Sequence, residues 1–365
     1  MTGQADALPT ARRRKRKNLR TQGPDAPQQQ QSKSTAAEPE DIGPRFRAGW
    51  RVIAAKEFSD QIGSWRFAIL TIMLALAGAA AAWTAAGALK NIAADASGNQ
   101  SLFLLLFAPG QTINNIPPFT AFITFLGPLL GIAFGFDAIN GERSEATLPR
   151  LLAQPIYRDD VINGKFVAGL SAIALILVAV IGVVAALGVV QLGIVPQAQD
   201  ILRLMIWVIL TVAYIGFWLA FALLCSVLLR RAATSALMAL GVWLVLTVFF
   251  SLIVGVLSGF ISPVAADATV GSADNIANLS TQVNLSRLSP NELYTESTQV
   301  ILNPRLRTVT PDLVSAGQAD LAIPGLLSLD QSLLVIWPQF IALIAATMVT
   351  FGVAYVAFMR QEVRA

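Results

Sequence analysis

Six continuous apolar runs constrain this chain more than any other feature. They lie at about 67–87, 118–139, 166–190, 204–229, 234–259 and 333–358. Roughly 20 apolar residues in a helix span a hydrocarbon core about 30 Å thick. Each run is continuous rather than alternating apolar and polar residues, which excludes a transmembrane barrel. The chain is 55% hydrophobic and 13% charged, about half the charge of an average soluble domain. The expectation is an all-α membrane protein with six transmembrane helices.

Charge placement then orients the spans. Lys and Arg gather in the N-terminal tail, in the 140–165 loop (Arg143, Arg150, Arg158, Lys165), at Arg230-Arg231 and at Arg360 and Arg364. The alternate segments are nearly bare: 88–117 holds Lys90, and 191–203 holds Arg203 at its edge. By the positive-inside bias, both termini and the 140–165 loop face the cytoplasm of a multi-pass protein in the cell (cytoplasmic or inner) membrane.

Outside the spans, three regions stand apart. Residues 1–42 are polar, lack apolar periodicity and carry a basic cluster from Arg12 to Arg20, which predicts a disordered cytoplasmic tail. Contact with anionic membrane lipids is a second use for it; nucleic acid is not an expected partner. Over 43–64, Phe46, Trp50, Ile53, Ala54 and Phe58 fall on one helical arc, predicting an amphipathic interfacial helix. The third region is the outer loop at 260–332. Within it, Ser289-Pro290-Asn291-Glu292 reads as a capping box with proline at the first helical position, and Leu288 and Leu293 read as a staple. An extracytoplasmic helix over 290–302 follows, either a lid on the chain's own helices or a docking site for an outer partner.

Chemistry-bearing residues are scarce. There is no histidine, and the single Cys225 permits no intrachain disulfide. Gly164-Lys165 fails as a phosphate loop, having no glycine five residues before it and Phe166 after it. No catalytic, cofactor-binding or metal-ligating residue is predicted. Asp137 is the one charge near a span interior, at the cytoplasmic end of the second span. Gly127, Gly131 and Gly135 repeat at four-residue spacing in that span, a helix-packing face turned either to the chain itself or to a second copy. Trp83, Trp207 and Trp337 read as outer interface anchors.

The 140–165 loop is the charged linker between spans two and three. Glu142 to Leu152 can form a short helix with Leu148, Leu151 and Leu152 at helical spacing and Pro155 as its stop. Glu142-Arg143, Thr147-Leu148, Leu151-Leu152, Pro155 and a final Gly164-Lys165 resemble the same loop of the ABC-2 type transporter permeases. Ala146 stands where members often have glycine. The six-span plan over 65–365, the interfacial helix and the enlarged outer loop extend the resemblance, which is strongest to the nitrous-oxide-reductase maturation type.

The resemblance implies the permease subunit of an ATP-driven exporter, not itself an enzyme. It implies a separate ABC-type ATP-binding subunit that holds the ATP and Mg, and a second permease, identical or different. The cytoplasmic loop would be a coupling helix, with Glu142, Arg143, Glu145, Thr147, Leu148, Leu151 and Leu152 contacting the ATPase. The rival readings are a membrane scaffold or assembly factor for an extracytoplasmic protein, and an ATP-independent secondary carrier. The scarcity of buried carboxylates disfavours the carrier.

Overall fold

Each apolar run becomes a helix that buries one stripe against its neighbours and leaves the rest for lipid. A computed structural model describes residues 49–95, 102–107, 117–144, 157–193, 195–265, 272–304 and 327–361. All of them belong to one unit, Phe46–Ala365. The predicted tail at 1–42 and Phe46 lie outside the described residues.

The elements in order are α1 (Gly49–Ile62), α2 (Trp65–Asp95), α3 (Leu102–Leu105), α4 (Phe119–Gly135), α5 (Asn140–Ser144), α6 (Arg158–Leu192) and α7 (Ala198–Leu228). Then come α8 (Ala232–Leu244), a π-helical turn (Val245–Phe249), α9 (Phe250–Ile261), α10 (Ala273–Ser286), α11 (Pro290–Leu302) and α12 (Leu329–Arg360). Six helical stretches among the described residues are long and apolar enough to cross a membrane, at the positions the apolar runs predict. No strand occurs among the described residues.

Helix ends follow local chemistry. Ser64 caps α2 by accepting the amide of Phe67 at 3.2 Å. Gly193 ends α6 with φ +66°, a left-handed conformation that a side chain would strain.

α7 is the hub of the bundle, packed on α4 and α12, and α11 adds its own weight to both α7 and α12. The glycine face of α4 turns inward to α7. A methyl group on Gly131 would come within 2.6 Å of the Ile215 carbonyl oxygen and 2.8 Å of the Leu219 nitrogen. On Gly135 it would meet Ala222 at 2.8 Å, and on Gly127 the Ile215 side chain at 3.1 Å. All three glycines thus abut α7 of the same chain.

α11 also packs inward. Val300 and Ile301 are fully buried, as their spacing predicts. Tyr294 stacks on Tyr214 of α7 with centroids 4.3 Å apart and planes 8° apart. Burial pushes the Tyr294 phenol up to about 12. The Tyr214 hydroxyl donates to the Thr124 carbonyl of α4 at 2.9 Å, so one aromatic pair ties α4, α7 and α11.

The start of α11 differs in detail from its expectation. Ser289 caps it by accepting the Asn291 amide at 3.3 Å, and donates its own hydroxyl to the Leu246 carbonyl in the π turn at 3.0 Å. The Ser289 backbone N–H donates to the Ser286 carbonyl at 2.9 Å, in place of the reciprocal Glu292 contact of a capping box. Leu288 stays exposed while Leu293 is buried, so the staple is not made. The tertiary bond of the Ser289 hydroxyl, to a carbonyl 43 residues earlier in the chain, ties the start of α11 to the π turn.

Trp83 and Trp337 are exposed on the bundle surface, in keeping with interface anchors, but Trp207 is not. It is wholly buried, with its ring 5.7 Å from Phe107 and 6.1 Å from Phe119. It belongs to the core because the 102–107 segment folds over α7.

Candidate functional site

The loop between the second and third spans begins in an unusually well-anchored turn. Ser226, near the end of α7, accepts the backbone amides of Ile139 and Asn140 at 3.0 and 3.2 Å. These amides enter α5, where orphan donors need an acceptor. A serine 86 residues away therefore fixes where the second span ends.

The two charges of α5 point to different elements. Glu142 Oε1 lies 2.7 Å from Lys165 Nζ in the first third of α6. The same ammonium lies 3.0 Å from Glu57 Oε1 on α1. Lys165 is only 7% exposed, and burying a cation so deeply requires partners of this kind. Arg143 reaches the other way, donating to the Gln361 side chain and, at 3.4 Å, to the Val227 carbonyl. Gln361 in turn donates to Val227 at 2.7 Å and accepts from Arg158 at 3.1 Å through its carbonyl. The five residues of α5 thus join α1, α6, the end of α7 and the end of α12.

Gly164-Lys165, which fails as a phosphate loop, has a structural role here. A side chain on Gly164 would overlap Ile53 and approach the Trp50 carbonyl at 3.1 Å, so the glycine admits α1 against α6. Ile53 and Ala54 are the buried face of α1. The predicted apolar arc is thus partly spent on the protein itself. Asp137 pairs with Arg66 at the start of α2 at 2.5 Å, and this guanidinium sits 5.1 Å from the Phe136 ring centroid. That makes Asp137 a link between spans one and two.

Of the predicted coupling residues, Glu142 and Arg143 are placed as above. Glu145, Thr147, Leu148, Leu151 and Leu152 lie outside the described residues. Among the described residues no group of His, Cys, Asp or Glu could hold a metal ion.

Residues 51–363 match the ABC-2 family transporter protein. The chain belongs to the ABC-2 transporter family. It is therefore the permease subunit of an ABC transporter, a class that works with an ABC ATP-binding partner. The permease is also 28% identical over 207 residues to the "Probable ABC transporter permease protein NosY" of Stutzerimonas stutzeri, covering 55% of this chain and 67% of that one.

Sequence reasoning missed several structural contacts of the permease. Ser226 and Gln361 carry no signal of their own, because a lone serine in an apolar run usually bonds its own helix. Arg203, at the edge of a loop by sequence, is 2% exposed. It donates to the Leu327 carbonyl at 2.7 Å, the Ser332 hydroxyl at 2.9 Å and the Ile301 carbonyl at 3.2 Å, holding α11 and α12 to α7. Glu296 is buried too, taking the Arg287 guanidinium and the Gln339 amide, each at 3.1 Å. Asn278, which matches a glycosylation pattern, is buried and donates to Ser258 and Ser262, closing the end of α9.

Proposed function

We propose that this permease moves its substrate out of the cytoplasm, driven by ATP hydrolysed on a separate subunit that binds the ATP and Mg. The N- and C-termini and the 140–165 loop face the cytoplasm of the cell membrane, a reading supported by the one-sided Lys and Arg distribution. Two permeases assemble with two ATPases, and the loop after the second span is the coupling helix.

The observation that carries this reading is the wiring of α5. A push on the loop reaches α6 and α1 through Glu142–Lys165–Glu57, and α7 and α12 through Arg143–Gln361. Glu142 and Arg143 anchor the helix and transmit its movement, and they border the ATPase contact. Glu145, Thr147, Leu148, Leu151 and Leu152 supply the surface that enters the ATPase. A chain with this task needs no ATPase motif of its own.

The test is co-expression of the permease with its ABC ATPase. Leu148→Asp should abolish co-purification or uncouple ATP turnover from transport, while the permease itself stays folded. Normal binding and normal coupled turnover in that variant would sink the coupling-helix assignment.

A further inference from the structure

A cleft of about 530 Å³ lies between α7 and α12, at the end of the bundle that carries α11. Leu210 and Ile336, both buried, form its floor. Leu333, Phe340 and the exposed Trp337 continue along α12, and Asp330 in the first turn of that helix is the one charged residue lining it among the described residues. The cleft follows α12 from Asp330 to Phe340, a rise of about 15 Å at helical spacing. Its volume falls within the roughly 300–1,000 Å³ of small-molecule sites, and its lining has their usual character, apolar walls with one placed polar group.

The cleft opens on the lipid-facing surface: Leu334 and Ile209, beside it, are more than half exposed. Its occupant therefore enters from the membrane with an apolar chain. The charge at its mouth chooses the head. An aspartate is ionised at neutral pH, so a cationic head is attracted there. Among the described residues, no lysine or arginine lines the cleft. The nearby Arg203 donates to the Ile301 and Leu327 carbonyls and the Ser332 hydroxyl inside the protein. Among the described lining residues, a phosphate-bearing head would meet a carboxylate and no cation. An ammonium would meet Asp330, and the Trp337 ring, two turns further along the same helix face, would flank the apolar chain.

We propose that this cleft is a binding site for single-chain amphiphiles with a cationic amine head, the amine at Asp330 and the chain along Leu333, Trp337 and Phe340. The assignment goes beyond the coupling reading and does not depend on it.

The permease in phosphatidylcholine nanodiscs provides the test, with bromine-bearing dodecylamine as probe and the matching bromododecanol as neutral control. The amine should quench tryptophan fluorescence saturably at about two- to fivefold lower concentration than the alcohol. Trp337→Phe should remove most of that quenching. Asp330→Asn should raise the amine's half-saturation to that of the alcohol and leave the alcohol's unchanged, while Leu333→Trp, which fills the cleft, should abolish both. Equal half-saturation for amine and alcohol in the wild type, or an unchanged preference in Asp330→Asn, would overturn the proposal. So would a brominated phosphatidylethanolamine that quenches Trp337 and is not displaced by the amine, because the cleft would then be a phospholipid seat.

Discussion

Lys165 Nζ lies 2.7 Å from Glu142 Oε1, joining the start of the third span to the turn that ends the second. The same ammonium holds Glu57, so one buried cation connects three elements. Lys165→Met would leave two largely buried carboxylates near one another without their shared cation. Breaking a buried pair in this way costs about 3–5 kcal/mol, and unfolding in detergent should show that loss. Adding Glu57→Gln and Glu142→Gln to Lys165→Met should restore most of it. If the triple variant were no more stable than the single one, the three charges would not be acting as a unit.

Gly131 is the tightest point of the α4–α7 contact, because the atoms a methyl group would meet are backbone and cannot rotate away. Gly131→Ala should destabilise the bundle by about 1–3 kcal/mol. Gly127→Ala should cost less, since it meets the end of the Ile215 side chain. Thermal unfolding of the two variants side by side checks the order, and equal losses would contradict it.

Ser226→Ala removes the acceptor of the Ile139 and Asn140 amides. Leaving buried donors unpaired costs about 1–3 kcal/mol. Hydrogen exchange at these two amides should rise in the variant, whereas exchange in the middle of α4 should not. Uniform change along α4 would instead indicate a global loss of stability.

Burial, followed by the neighbouring Glu296, raises the pKa of Glu292, and Arg287 offsets this only in part. The folded state then binds the proton more tightly than the unfolded chain. Stability from this group is present at low pH and declines as pH rises from about 4.3, the ordinary glutamate value, through the raised folded value. Glu292→Gln should remove that decline. The difference in unfolding temperature between variant and wild type should widen in favour of the variant as pH rises across this window. A constant difference would show that Glu292 does not titrate against folding.

Much of this architecture was legible without coordinates. The six spans follow from run length against bilayer thickness, and α11 follows from Ser289, Pro290 and the apolar spacing of Val300 and Ile301. The loop motif pointed to the family. What remained hidden depends on partners distant in the chain. Nothing local separates Trp207, a core residue, from Trp83 and Trp337, which face outward. Arg203 looks like a loop charge until the carbonyls of Ile301 and Leu327 come to it.

Pro149 bounds the legibility of the coupling helix. It falls inside the predicted 142–152 range and has no amide to give a helical ladder.

The sequence alone determined that the chain crosses a membrane six times and where each crossing lies. The cost of exposing apolar side chains to water and of leaving backbone polar groups unpaired in lipid is a property of each segment by itself. Only the tertiary structure decided what the glycines of α4 face, which residue Ser289 serves, and that Lys165 gathers Glu142 and Glu57. Those outcomes depend on which surfaces meet, and a buried charge or hydroxyl is stabilised by whatever partner packing brings within about 3 Å.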